Sequence, residues 1–170
     1  MTARHAVLPS TLGPLTALAE GDALVGLYFP GHTYPFAPGS EGPEVAAGED
    51  PVLAEVGTQI GEYLDGRRTD FDVPVRTAGG EFSERVWARL REIPYGTTIT
   101  YAEIARELGG PGLAQRVGQA VGHNPISIIV PCHRVVGADG SLTGYAGGLE
   151  RKRALLALEE PSAEDGARLF

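Results

Sequence analysis

A single cysteine, Cys132, leaves this 170-residue chain with no intramolecular disulfide and no cysteine-rich zinc site. No stretch approaches the ~20 apolar residues needed to span a bilayer, and the N-terminus MTARHAVLPSTLG lacks the apolar segment of a secretory signal. No membrane partner is therefore expected, and the reducing cytoplasm, where a free thiol persists, is the expected compartment. The four histidines, His5, His32, His123 and His133, are scattered without ligand spacing, so neither a metal nor another cofactor is expected. Internal repeats and low-complexity tracts are missing too. What is present, 42% hydrophobic residues, suffices for a globular core in one domain or two small ones.

The formal charge of −8 argues against a polyanionic partner only when taken whole. Residues 1–75 carry 11 acids and 3 bases, residues 76–158 carry 7 acids and 10 bases, and residues 159–170 carry 4 acids and 1 base. Nine of the ten bases in the middle segment are arginine, which suits bidentate phosphate contacts. A solvated mixed surface accounts equally well for so small an excess.

The first half reads as a small α/β unit. GPLTALA and ALVGLYF are strand-like, and the Gly, Pro and Glu cluster from Pro30 to Asp50 reads as a long loop. Asp50 and Pro51 then start a helix whose apolar face is Val52, Leu53, Val56, Ile60, Tyr63 and Leu64, ended by Gly66. FDVPVR, residues 71–76, reads as an edge strand because Pro74 cannot donate to a central ladder. A composition shift at Thr77 to Gly80 marks the expected boundary.

Beyond it, Phe82, Val86, Leu90 and Ile93 form a helical stripe with Trp87 beside it, stopped by Pro94. Thr100 and Glu103 make a capping box for a short helix, TYAEIAREL. Gly109 to Gly112 break the chain before a second helix, LAQRVGQAVGHN. Two short helices joined by a glycine-containing turn have the form of a helix-turn-helix, although many helical hairpins bind nothing. In the second helix, Leu113, Val117, Ala120 and Val121 face one way and Gln115, Gly118, Gln119 and Gly122 the other. Glycine inside a helix costs ~1 kcal/mol relative to alanine. The two glycines therefore imply close approach of another surface, either a nucleic-acid groove or a packed helix.

ISIIV, residues 126–130, reads as a buried strand, with Pro131 turning Cys132 out of it. Val135–Val136, GADG and SLTGY then read as a hairpin, and residues 145–148 as a loop able to close over a pocket. Nucleophilic work needs thiolate, and His133 is the adjacent base, although neighbouring strand residues point to opposite faces. By itself, a lone cysteine is more often a small buried hydrophobe.

PCHRVVG, preceded by HNPISIIV and followed by GYAGGLERKRALL, closely resembles the active-site region of the O6-alkylguanine-DNA alkyltransferases, also called methylated-DNA-protein-cysteine methyltransferases. The similarity extends upstream through IPYGTTITYAEIA and covers roughly residues 80–160. It implies an α/β (α+β) chain: an N-terminal ribonuclease-H-like sheet domain over 1–76, a C-terminal winged helix-turn-helix domain over 77–160, and a tail over 161–170. It further implies that the recognition helix enters the minor groove of double-stranded DNA carrying O6-alkylguanine. The damaged guanine is flipped into a pocket, and its alkyl group passes irreversibly to cysteine. Extruding a poorly paired base costs only a few kcal/mol, which makes that route physically reasonable.

The matching positions imply roles. Cys132 is the alkyl acceptor, His133 its base through a water, and Glu159 the group orienting that imidazole. Tyr101 hydrogen-bonds a guanine ring nitrogen, and Tyr145 walls the pocket. The carbonyls of Cys132 and Val135 accept from the exocyclic amine. The Ala146–Gly147 loop presents the Ala146 backbone N–H to O6, and Asn124 ties the helix-turn-helix to the active-site turn. Gln115, Arg116, Gly118, Gln119 and Gly122 form the DNA-facing helix surface. The family pattern there is an arginine followed by Ala-Val-Gly, and that arginine fills the vacated stack. Here Gln115 holds the finger position, with Arg116 about 100° further round. The departure implies a weaker extrusion step, or a shifted helix in which Arg116 substitutes.

No residue is placed to remove an alkyl group from the resulting thioether, so each molecule acts once. A monomer is expected, with cooperativity on DNA left open. Two rival readings share parts of this pattern: a cysteine hydrolase or peroxidase, and a non-catalytic helix-turn-helix regulator.

Overall fold

The computed structural model describes residues 2–142 and 144–160 of the 170. The expected tail, 161–170, lies outside the described residues. At the N-terminus, β1 (Ala3–Leu8), β2 (Leu15–Glu20) and β3 (Ala23–Tyr28) form an antiparallel meander in that order. β2 and β3 match the two strand-like segments. β1 was not read from the sequence, because a half-exposed edge strand beginning Ala-Arg-His carries little apolar alternation.

α1 (Pro51–Leu64) packs Leu53, Val56, Ile60 and Tyr63 against this sheet. Asp50 caps it as expected, accepting from the Val52 and Leu53 N–H groups at 3.1 Å, and is itself ion-paired to Arg4 of β1. The long segment between β3 and α1 is mostly turns, tied to β1 where His5 and Glu44 bridge. The strand expected at 71–76 is not formed. Only Val75 bridges to Leu24, through Leu24 N–H to the Pro74 carbonyl and Arg76 N–H to the Leu24 carbonyl, both at 2.9 Å. Pro74 contributes an acceptor and no donor, so pairing stops after one bridge.

The second half is helical. α2 (Glu81–Leu90), α3 (Tyr101–Leu108) and α4 (Ala114–Gly122) pack on one another, and α5 (Leu149–Glu159) closes the described chain. Val86, Trp87 and Leu90 are buried as the stripe requires, and the Trp87 indole N–H donates to the Ala120 carbonyl at 2.8 Å. Thr100 caps α3 by accepting from the Glu103 N–H at 3.1 Å. Between α3 and α4 the glycine-rich break is real: Gly109 and Gly110 both sit at φ 151°, where a side chain is strained. β4 (Ile99–Thr100) and β5 (Val135–Val136) pair in parallel. One continuous core joins the halves, running from Ala6 and Leu27 through Tyr63 and Val86 to Leu155.

Two expectations need correction. Residues 126–130 are buried but not a strand: they form a turn, bridged to the sheet only at Leu27 and Ile126, with Ile128 at φ 70°. β-branched composition reported burial there and not extension. The hairpin after β5 is replaced by a turn, with the Gly137 N–H donating to the Ser141 carbonyl at 2.9 Å. Among the described residues no returning strand pairs with β5. None of the described helices is long and apolar enough to cross a membrane.

Candidate active site

Asn124 organises the turn that carries the cysteine. Its Nδ2 donates to the Ile126 and Val130 carbonyls at 3.2 and 2.8 Å, and its Oδ1 accepts from the Ile126 N–H at 3.0 Å. One buried side chain thereby satisfies three backbone groups of a segment without a ladder, which lets a β-branched run rest in a tight buried turn. Cys132, His133 and Arg134 follow as one turn of 3-10 helix. Successive side chains there diverge by about 120°, not the 180° of a strand, so Cys132 and His133 are not forced to opposite faces.

Glu159, at the end of α5, gathers this turn. His133 Nε2 lies 2.8 Å from its Oε2, and Arg134 donates through Nε to Oε1 at 2.8 Å and through Nη2 to Oε2 at 2.9 Å. The Tyr63 hydroxyl of α1 donates to the same carboxylate, and Arg134 Nη1 reaches the Ile93 carbonyl at 2.7 Å. Burial alone would raise the Glu159 carboxyl, but the hydrogen bonds from His133 and Arg134 outweigh it and hold the pKa at about 2. An ionised carboxylate only accepts, which assigns the ring hydrogen to Nε2 and leaves a lone pair on Nδ1. That Nδ1 is buried and has no hydrogen-bond partner among the described residues. Burial also lowers the His133 pKa against the pull of Glu159, so the ring is neutral at pH 7: a base held in one tautomer.

Cys132 is 5% exposed. Burial pushes its thiol pKa up, while the Asn124 side chain, the Lys152 charge and the Tyr145 hydroxyl pull it back. Lys152, on α5, is fully buried, donates from Nζ to the Val135 carbonyl at 2.6 Å, and is lowered by desolvation to about 8. It therefore remains mostly cationic at pH 7, a positive charge buried beside a latent anion. The Tyr145 hydroxyl lies beside the Cys132 and Ser127 side chains but meets neither at regular hydrogen-bond geometry.

A cavity of about 350 Å³ reaches this cluster through Tyr145. Of the predicted pocket residues, Tyr101, Tyr145 and Ala146 line it, joined by Gly118 and Gly122 of α4. Cys132 is not part of the lining; Tyr145, which is, lies against it. A Cβ on Gly118 would meet Tyr101 at 3.9 Å and one on Gly122 would meet Tyr34 at 3.5 Å, so the two helix glycines border a cavity within the protein. Gly147 is buried, and a Cβ there would strike the Phe29 ring at 2.6 Å. The Val135 carbonyl already accepts from Lys152, and the Cys132 carbonyl accepts from the Val135 N–H, leaving each one further lone pair. No hydrogen bond among the described residues occupies the Ala146 N–H.

On α4, Gln115, Arg116 and Gln119 are exposed. Arg116 stacks over the Phe82 ring at 4.1 Å, on the side of α2, and Gln115 is left at the outer face. Sequence reasoning missed Tyr63, Arg134, Lys152, Thr33 and Tyr34. Arg134 stood inside the cysteine motif and Lys152 inside GLERKRALL, so motif membership was a signal for those two. For Tyr63 and Tyr34 only the fold supplies the contact.

The family model described as 6-O-methylguanine DNA methyltransferase, DNA binding domain, matches residues 81–161. Its ribonuclease-like domain counterpart matches residues 3–77. A Mycobacterium tuberculosis methylated-DNA–protein-cysteine methyltransferase is 45% identical over 166 residues, covering 98% of both chains. The Methanosarcina acetivorans protein of the same name is 41% identical over 155 residues, covering 91% of this chain and 97% of its own. The crystal structure of Mycobacterium tuberculosis OGT in complex with DNA superposes with a TM-score of 0.83 at 45% identity, covering 92% of each chain. With a ribonuclease-like half, a DNA-binding half and a cysteine set before a His–Glu pair, the chain belongs to the methylated-DNA–protein-cysteine methyltransferase family.

Proposed function

We propose that this protein repairs DNA directly, by taking the alkyl group of O6-alkylguanine onto Cys132 once per molecule. The observation that carries the reading is the buried His133–Glu159 pair with an unpartnered His133 Nδ1, next in the chain to a buried Cys132 whose neighbour Tyr145 lines a cavity. His133 takes the thiol proton through a water, and Lys152 favours the thiolate. The sulfur attacks the alkyl carbon: an S–C bond forms, the C–O6 bond breaks, and its electron pair leaves on O6, toward the Ala146 N–H. Tyr101 hydrogen-bonds a guanine ring nitrogen, and the carbonyls of Cys132 and Val135 read the exocyclic amine. No charged nucleophile is regenerated from the thioether, so the reaction stops there.

DNA is the partner, and α4 would lie in its minor groove with Gln115, Gly118, Gln119 and Gly122 toward the duplex. The cavity behind the two glycines would receive a flipped guanine. Residues 1–76 and 77–160 act as sheet and DNA-binding domains of a cytoplasmic monomer on this reading.

The test is incubation with excess duplex containing O6-methylguanine, followed by mass spectrometry. The expected result is one added methyl, about 14 Da, on the peptide containing Cys132, with one methyl removed per protein. Repeated turnover would indicate a hydrolase, and an unmodified peptide a binding protein; either would overturn the reading.

A further inference from the structure

The cavity is not built from the DNA-binding half alone. Thr33 and Tyr34, from the long segment after β3, form one of its walls. The Thr33 N–H donates to the Ala146 carbonyl at 2.9 Å, fastening this segment to the loop expected to meet O6. The same segment is held upstream, where Arg151 Nη1 donates to the Pro30 carbonyl at 3.3 Å and to the Gly147 carbonyl at 2.9 Å. Tyr34 then reaches across to α4: its ring stacks on His123, centroids 3.7 Å apart and planes 19° off parallel. His123 is itself fixed, with Nδ1 2.8 Å from the Gln119 carbonyl. Tyr34 nevertheless stays 47% exposed, so core packing does not explain a large aromatic here.

We infer that Tyr34, braced by His123, is a specificity-determining wall of the base pocket and limits the size of alkyl group that Cys132 can accept. The inference rests on the alkyl-transfer reading above and adds a role for the N-terminal half. A guanine carrying a methyl group and one carrying a benzyl group share every polar contact and differ only in the volume beyond O6. A rigid wall can separate them only by steric fit, and apolar pockets discriminate such differences by about 10- to 200-fold. The Tyr34 hydroxyl is not needed for this; the stacked ring is.

Single-turnover rates with duplexes carrying O6-methylguanine or O6-benzylguanine test the claim in the full-length protein, Tyr34→Ala and Tyr34→Phe. Tyr34→Ala is expected to raise the benzyl-to-methyl rate ratio about tenfold, Tyr34→Phe to keep it, and His123→Ala to shift it in the same direction as Tyr34→Ala. An unchanged or lowered ratio in Tyr34→Ala overturns the inference. So does an equal fall of both duplex rates with the rate on free O6-benzylguanine preserved, which would make Tyr34 a groove contact. Because Tyr34 is half exposed, melting curves of the variants should overlay the parent. If the parent protein transfers no methyl to Cys132, the alkyl-transfer reading fails first, and the two failures remain distinct.

Discussion

The Tyr63 hydroxyl donates to Glu159 Oε2 across 96 residues of sequence, joining α1 of the sheet half to the last turn of α5. The carboxylate that orients His133 is therefore completed by the N-terminal half. Tyr63→Phe removes a buried hydrogen bond to a charged group and is expected to lower stability by about 1.5–3 kcal/mol. Alkyl transfer should slow as well, because the His133–Glu159 pair loses a support. Denaturant unfolding and single-turnover kinetics on the same variant check both effects. An unchanged midpoint would show that the bond adds nothing.

Glu159→Gln leaves Arg134 as a buried charge without its partner, and a loss of about 3–5 kcal/mol is expected near neutral pH. The pH dependence has a definite sign. Glu159 has a folded pKa of about 2, below its ordinary value of 4.5, so its contribution is present above pH 4.5 and disappears as pH falls through 2. His133, also depressed by burial, acts in the same direction below its ordinary 6.5. The stability gap between parent and Glu159→Gln should therefore narrow between pH 4.5 and 2 in urea titrations. A gap that is constant over that range would show that the carboxylate is not held ionised by its partners.

Lys152→Met removes the positive charge that favours the Cys132 thiolate. The thiol pKa should rise, so the rising limb of the rate profile moves to higher pH and the rate at pH 7 falls. The variant also loses the bond to the Val135 carbonyl. Melting curves separate that loss from the displaced profile, since destabilisation alone lowers the rate without moving its pH dependence.

Gln115 occupies the outer face of α4 where the family pattern has arginine, and Arg116 is engaged with Phe82. Gln115→Arg is expected to raise the rate on duplex DNA while leaving the rate on the free modified base unchanged. Arg116→Ala should lose the stack, worth about 0.5–1 kcal/mol at an exposed site, with little change in either rate. Should neither variant alter the duplex rate, α4 does not meet DNA through this face.

Much of the fold was legible where one local signal was enough. Asp50–Pro51 starts α1, Thr100 caps α3, Pro94 lies just beyond α2, and paired glycines break α3 from α4. α5 escaped because its buried face is Lys152, Leu155 and Glu159, two charges in three positions, which hydrophobic periodicity cannot register. The 126–130 turn escaped because its backbone groups are satisfied by the Asn124 side chain, a contact that β-propensity ignores.

The candidate reacting group was legible in the chain itself: a lone thiol next to an imidazole, within PCHRVVG. Which groups surround that thiol was decided in three dimensions. Lys152 and Glu159 become buried only when α5 packs against the 132–134 turn, and Tyr34 and Tyr63 reach the site only when the sheet half docks. Charge, solvation and cavity shape depend on what lies within a few ångströms, and a linear sequence holds no record of such distances between residues a hundred positions apart.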